Sequence, residues 1–323
     1  MSDRTKGVLF ASVTTIFWGF LAVALKAATG FMDPLTIVWF RFLTAFIILL
    51  AYFALTRPEY LRILYQPPLY LIAGALGLGI NYLAYLYGLK FTTAGTAQVI
   101  IQLGPILLGM VGLFFFHEKI SLRQALGFVV AGTGLFLFYR DRIGQFSHAE
   151  ELFNMGVLWV VVGAMSWVVY AAFQKVLVRK YPTQQLNLFL FGLPTFLFLP
   201  FTRLEEFLSL SALQWLLLLY LGINTLIAYG SLAMAFKYLE ASKVSIIVTM
   251  NPLITFLSIG LLTSLEVSWV GSERMTFEGY VAAVMVILGA VMAIAVARPE
   301  NKLEVKDWIN KLRFVIRKNQ PDR

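Results

Sequence analysis

Hydrophobic residues run through this chain in long, nearly unbroken stretches, without the alternating or one-in-three patterns of a water-exposed fold. Ten such stretches occur, at roughly 7–25, 34–55, 69–89, 94–116, 120–139, 156–178, 186–202, 212–236, 241–264 and 277–297. Each is close to the ~20 residues that a helix needs to cross the hydrocarbon core of a bilayer. Lipid offers no hydrogen bonds, so the backbone of such a stretch must satisfy itself, which an α-helix does. Polar joints such as Thr56-Arg57-Pro58-Glu59 and Arg140-Asp141-Arg142 separate the stretches. The seventh is the shortest and holds Pro194 and Pro200, which predicts a kinked or tilted helix. The fold class expected is an all-α membrane protein with ten transmembrane helices.

The last five stretches repeat the first five. Trp18 and Lys26 lie 149 positions before Trp167 and Lys175. Lys90-Phe91, Ala94 and Pro105 lie 147 positions before Lys237-Tyr238, Ala241 and Pro252. Glu118 and Glu266, each closing a stretch with a mid-helix proline, are 148 apart. Apolar runs match by chance, but tryptophan, lysine, proline and glutamate at near-constant offset do not. Five is odd, so the second repeat must be inverted relative to the first. The organisation expected is a first five-helix repeat at 1–140, a connecting loop at 141–155, an inverted repeat at 156–297 and a basic tail at 298–323, with a central cavity between the repeats. Inverted repeats are a common way of building alternating access in secondary transporters.

Charge refines this picture. Hydrophobic residues make up 59% of the chain and charged ones 13%, where water-soluble domains are roughly half apolar and a quarter charged. Of the 26 lysines and arginines, 19 fall on the side of the N-terminus and 6 on the other, with Arg41 inside a stretch. By the positive-inside rule both termini are then cytoplasmic. The net charge of +9 is scattered over joints and tail, which argues against nucleic acid as a partner. From Leu303 to Lys318 apolar residues recur on one helical face with basic residues between, as in a helix lying on an anionic leaflet. The first apolar run is too long for a cleavable signal peptide and leads into further spans.

The chain resembles the EamA-type branch of the drug/metabolite transporter superfamily. The resemblance rests on the five-plus-five layout, Phe17-Trp18-Gly19 in the first stretch, Arg41 in the second, the prolines of the fourth and ninth, and His117-Glu118 after the fourth. It implies two inverted bundles around a central cavity. It also implies a carrier, often an exporter, of small metabolites such as amino acids. Arg41 departs from the symmetry, because the offset of 149 lands on Leu190.

Several residues are candidates for the cavity. Arg41 is the one charge well inside a stretch, where it costs about 2.5–3.5 kcal/mol on insertion scales. It can grip a carboxylate or phosphate in a bidentate fork, bond helix-end carbonyls, or snorkel outward. Gln98 and Gln102 share a helical face with Pro105, and Ser245 and Thr249 share one with Pro252. Asn81, Tyr82 and Tyr85 on the third stretch correspond roughly to Ala228, Tyr229 and Leu232, with Asn224 one turn earlier. Trp18 and Trp167 occupy equivalent places, and Tyr170 and Gln174 follow the second. Interhelical hydrogen bonding is the alternative role for these polar groups. Pro105 and Pro252 each remove a backbone donor, which suits a hinge or gate as well as fixed shape. Lys26, Lys90, Lys175 and Lys237 stand at span ends, where they could rim the entrances or anchor the helices.

Absences narrow the chemistry. There is no cysteine, and neither a metal site nor a cofactor is expected. No acidic residue lies deep in any stretch, which disfavours an intramembrane proton relay. There is no phosphate-binding Gly-x-x-x-x-Gly-Lys loop for ATP and no hydrolase motif. The partners expected are a small-molecule substrate and the lipid bilayer, in a monomer or homodimer. The reading is a non-enzymatic facilitator or exchanger of amino acids or related carboxylates. A membrane scaffold or receptor, or a membrane-embedded enzyme, are the rival classes, and counterflow in vesicles separates them.

Overall fold

The computed structural model describes residues 2–116, 122–143, 150–239, 241–267 and 276–294. The basic tail, His117 and Glu118 lie outside the described residues. Among the described residues the chain forms twelve α-helices, three 3-10 segments and no strand. The helices are α1 (Asp3–Ala28), α2 (Pro34–Thr56), α3 (Leu69–Phe91), α4 (Ala94–Ile100), α5 (Leu103–Phe116), α6 (Leu122–Ile143), α7 (Glu150–Leu177), α8 (Thr183–Phe198), α9 (Ala212–Tyr238), α10 (Ala241–Val248), α11 (Asn251–Ser264) and α12 (Phe277–Ile294). Here α1, α2, α3, α7, α9 and the segment Thr183–Phe201 are each long and apolar enough to cross a bilayer. Their ends follow local chemistry. Asp33 caps α2 through a bond from Leu35 N–H, with Pro34 in the first turn, and Ser211 and Gln214 form a capping box on α9.

One expectation needs correction. The fourth and ninth stretches are each two helices: α4 breaks from α5 at Ile101–Gln102, and α10 from α11 at Thr249–Met250. Pro105 and Pro252 explain the breaks. Each lacks an N–H, and its ring clashes with the carbonyl four residues earlier, so the helix stops just upstream. Near the middle of the chain α6 runs to Ile143 and α7 starts at Glu150, so both helices extend past their apolar stretches. Hydropathy marks where lipid ends; the backbone bonds of a helix continue past that plane. In the seventh stretch Pro194 lies inside α8, and Pro200 sits in the 3-10 turn Leu199–Phe201 that follows it.

The main helix pairs join the two halves. α3 packs along α7, α1 along α9, and α6 along α12, while α2 lies against α8 and α9. Exchanging the halves converts the α3–α7 pair into the α9–α1 pair and returns the α6–α12 pair to itself. Glycines allow the close approach. A Cβ on Gly88 of α3 would stand 2.4 Å from Val160 and 2.8 Å from the Gly156 carbonyl of α7. Near the other end of α3, Tyr70 stacks on Phe173 of α7 at 5.5 Å. α3 and α7 are therefore antiparallel. Lys26, at the end of α1, bonds the C-terminal end of α3, whereas Lys175 lies two residues past Phe173, by the N-terminal end of α3. Equivalent ends of the two repeats thus lie at opposite ends of one helix, which is the inversion that the odd helix number requires. Large apolar side chains such as Leu55, Phe136, Leu158 and Leu257 are exposed on the perimeter, where lipid covers them.

Candidate functional site

The two helix breaks meet. Gln102, in the first break, donates through Nε2 to Asn251 Oδ1 at 2.8 Å, at the start of α11 beside the second break. Thr255 and Asn224 tie the same region to α1 by donating to the Gly19 and Phe17 carbonyls at 2.7 and 3.0 Å. Beside this junction is a cavity of about 630 Å³ of atom-free space, mouth included. Its wall holds Trp18, Leu21, Leu25, Arg41, Asn81, Tyr82, Tyr85, Gln98, Ile101, Gln102, Pro105, Trp167, Tyr229, Val248 and Asn251.

Arg41 supplies the charge in this wall and is 3% exposed. Its Nε donates to Thr225 Oγ1 at 3.1 Å. Thr225 can accept because its own proton goes to the Leu221 carbonyl at 3.0 Å. The guanidinium lies over the Tyr82 ring, 4.3 Å from its centroid, in cation–π geometry. No carboxylate lies within 4.0 Å of Arg41 among the described residues. Among the described residues no helix-end carbonyl bonds Arg41 either.

Aromatic rings carry the wall inward from that charge. Tyr82 and Tyr229 are 5.3 Å apart, Tyr229 and Trp18 5.2 Å, and Trp18 and Trp167 6.3 Å edge to face. Polar groups stand among them. Asn81 donates to the Gly163 carbonyl at 2.9 Å, and the Tyr85 hydroxyl bonds Gln98 Oε1 at 2.9 Å. Tyr82 Oη, Gln102 Oε1 and Trp167 Nε1 are buried with no partner among the described residues. Buried polar atoms are nearly always paired, so unpaired ones at a cavity mark where a ligand or water bonds.

The wall brings together Trp18, Arg41, Asn81, Tyr82, Tyr85, Gln98, Gln102, Trp167 and Tyr229 from the sequence candidates, with Pro105. It leaves out Tyr170, Asn224, Ser245, Thr249 and Pro252, which are buried in helix packing. Asn224 bonds α1, and Thr249 donates to the Ser245 carbonyl at 2.7 Å. None of the four lysines is in the wall. Lys26 Nζ donates to the carbonyls of Leu89, at 2.8 Å, and Thr92, closing the C-terminal end of α3. Lys175 Nζ does the same for α9 at Phe236 and Leu239, at 3.2 and 2.7 Å. Orphan carbonyls and the helix dipole favour a cation at these ends. Lys90 and Lys237 are exposed. Asn251 and Thr225 were missed. Asn251 was legible as a polar residue before a mid-span proline, whereas nothing in the sequence marks Thr225.

An all-α protein whose apolar perimeter encloses an aromatic-walled chamber carrying a few polar groups has the architecture of a membrane transporter. The chain matches the EamA-like transporter family over residues 5–140 and 154–295, one match on each half, and it belongs to that family. It is a multi-pass integral membrane protein that transports a small molecule and is not an enzyme. It is 32% identical to an uncharacterized transporter of Haemophilus influenzae over 89% of this chain and 94% of that one. It is also 32% identical to the uncharacterized inner membrane transporter YhbE of Escherichia coli, covering 88% of this chain and 90% of that protein. A protein of known crystal structure shares the fold, with a TM-score of 0.64 at 22% identity, covering 92% of this chain and all of that one.

Proposed function

We propose that the protein is a secondary carrier that moves small carboxylate-bearing metabolites, such as amino acids, by alternating access. Arg41 is the observation that carries the substrate class: a buried guanidinium in the cavity wall, bonded to one hydroxyl, with no acidic partner among the described residues. A carboxylate entering the cavity gains a charge-assisted bond there. The aromatic wall suits an apolar body behind that anion, and the unpaired Trp167 Nε1 and Tyr82 Oη offer further donors. The breaks before Pro105 and Pro252 act as hinges in this reading, and their Gln102–Asn251 bond couples them. With no acid deep in the spans, transport runs as facilitated diffusion or exchange.

The name of YhbE supports an inner-membrane location. The lysine and arginine distribution supports cytoplasmic termini. Export is the direction that the family resemblance implies. The division into repeats at 1–140 and 156–297 belongs to the same proposal. Counterflow of labelled amino acids and monocarboxylates into liposomes holding the purified protein tests it. Uptake without a pH difference is expected; strict dependence on an imposed proton gradient defeats the facilitator reading. Arg41→Gln should weaken carboxylate counterflow at least tenfold, since bonds to charged groups contribute about 1.5–3 kcal/mol. A folded variant with unchanged counterflow removes Arg41 from the site.

A further inference from the structure

We infer that the chain holds a second substrate-facing wall, shut in this structure, built from Tyr170, Gln174, Ser245 and Thr249 at the Lys175 end of the molecule. The inference rests on the carrier reading and identifies the wall that the opposite state exposes. The repeat carries it. Leu21, Leu25, Gln98 and Gln102 line the cavity. The offsets of 149 and 147 place Tyr170, Gln174, Ser245 and Thr249 at the equivalent positions. The present cavity is lopsided, with eleven of its fifteen lining residues from the first half. The four equivalents are buried and outside it. A carrier that exchanged the conformations of its halves would open a chamber at these positions and close the present one.

Unpaired polar atoms give independent support. Tyr170 Oη and Gln174 Oε1 are buried with no hydrogen-bond partner among the described residues. Tyr170 is 0% and Gln174 1% exposed. Shape alone would be served by phenylalanine and leucine, the latter being the residue at position 25. Polar atoms that stand unpaired in one state find partners when water or substrate reaches them in another. Gln174 adjoins Lys175 as Leu25 adjoins Lys26, so each wall starts beside a lysine-closed helix end. The two walls differ in charge. The counterpart of Arg41 is Leu190, which is buried, so the second wall meets the substrate through hydroxyl and amide groups alone.

The absence of cysteine makes the test direct. Leu25→Cys and Gln174→Cys are probed with a membrane-impermeant maleimide in right-side-out and inverted vesicles. Leu25→Cys should label from one face and Gln174→Cys from the other, each more slowly than an exposed control such as Lys90→Cys. Tyr170→Phe should raise the thermal midpoint in detergent while slowing counterflow several-fold, because it removes an unpaired hydroxyl from the shut state. Labelling of Gln174→Cys from neither face, or only from the face that labels Leu25→Cys, overturns the inference if the protein still shows counterflow. If Gln174→Cys does not fold, unchanged counterflow in Tyr170→Phe overturns it. Loss of counterflow in the unsubstituted chain defeats the carrier reading instead.

Discussion

The two halves share a skeleton and divide the chemistry between them. Each has a lysine closing a neighbouring helix, a tryptophan at the same place in its first span, and a helix broken upstream of a proline. Where the first half has Arg41 bonded to Thr225, the second has Leu190, with Leu78 in the place of Thr225, and both leucines are buried. The interfaces repeat the lesson. Thr14 of α1 donates to the Ala228 carbonyl of α9 at 3.1 Å, and Asn81 of α3 donates to the Gly163 carbonyl of α7 at 2.9 Å. These are equivalent pairs of positions, 14 with 163 and 81 with 228, with donor and acceptor exchanged. Symmetry therefore preserves which backbones meet and leaves free which side chain supplies the bond. Arg41, which lines the cavity and is present in only one half, is therefore a candidate for substrate chemistry.

That comparison can be broken most severely at Arg41. Its loss should reduce carboxylate counterflow tenfold or more, whereas Leu190→Gln should leave it within about twofold; equal losses in the two variants erase the distinction between the halves. Next in size is Gly88, where an added Cβ meets the α7 backbone. Gly88→Ala should cost about 1–3 kcal/mol through overpacking, seen as a lowered thermal midpoint in detergent. Gly7 faces mainly side-chain atoms of Leu239, just past α9, so Gly7→Ala should cost less, and the reverse order contradicts the packing described. The lysine closures come third. Lys26→Met and Lys175→Met should each lose about 1–2 kcal/mol of stability, by similar amounts, with substrate affinity unchanged at low and high salt. A salt-dependent affinity change in Lys26→Met would favour the entrance-rim role. The smallest effect is expected at Gly132, whose added Cβ meets nothing within 4 Å. Gly132→Ala should be neutral or stabilising by up to about 1 kcal/mol.

The cavity was legible in the sequence where a polar or charged residue interrupts an apolar stretch, as with Arg41, Asn81, Gln98 and Gln102. Such a residue must face protein, and a central chamber offers the space. The same rule also named Ser245, Thr249 and Asn224, which lie outside the present cavity, because a polar group inside a span can bond a neighbouring helix instead, as Asn224 Nδ2 does to the Phe17 carbonyl. It was silent on Leu21, Leu25, Ile101 and Val248, whose apolar side chains look the same in sequence whether they meet lipid, core or chamber. Hydropathy likewise registered each proline-bearing stretch as one span, because a break changes backbone bonding without changing side-chain polarity.

The sequence alone determined that this chain lies in a membrane as helices, that its halves are related, and that an odd count turns one over. These follow from the one-dimensional demand that every backbone group be satisfied in lipid. Only the tertiary structure decided which members of each equivalent pair face the chamber, that Lys26 and Lys175 close helix ends, and that the two breaks meet at Gln102 and Asn251. Those outcomes depend on which helices touch across the two halves, and side-chain packing in three dimensions selects among arrangements that the linear pattern leaves equal.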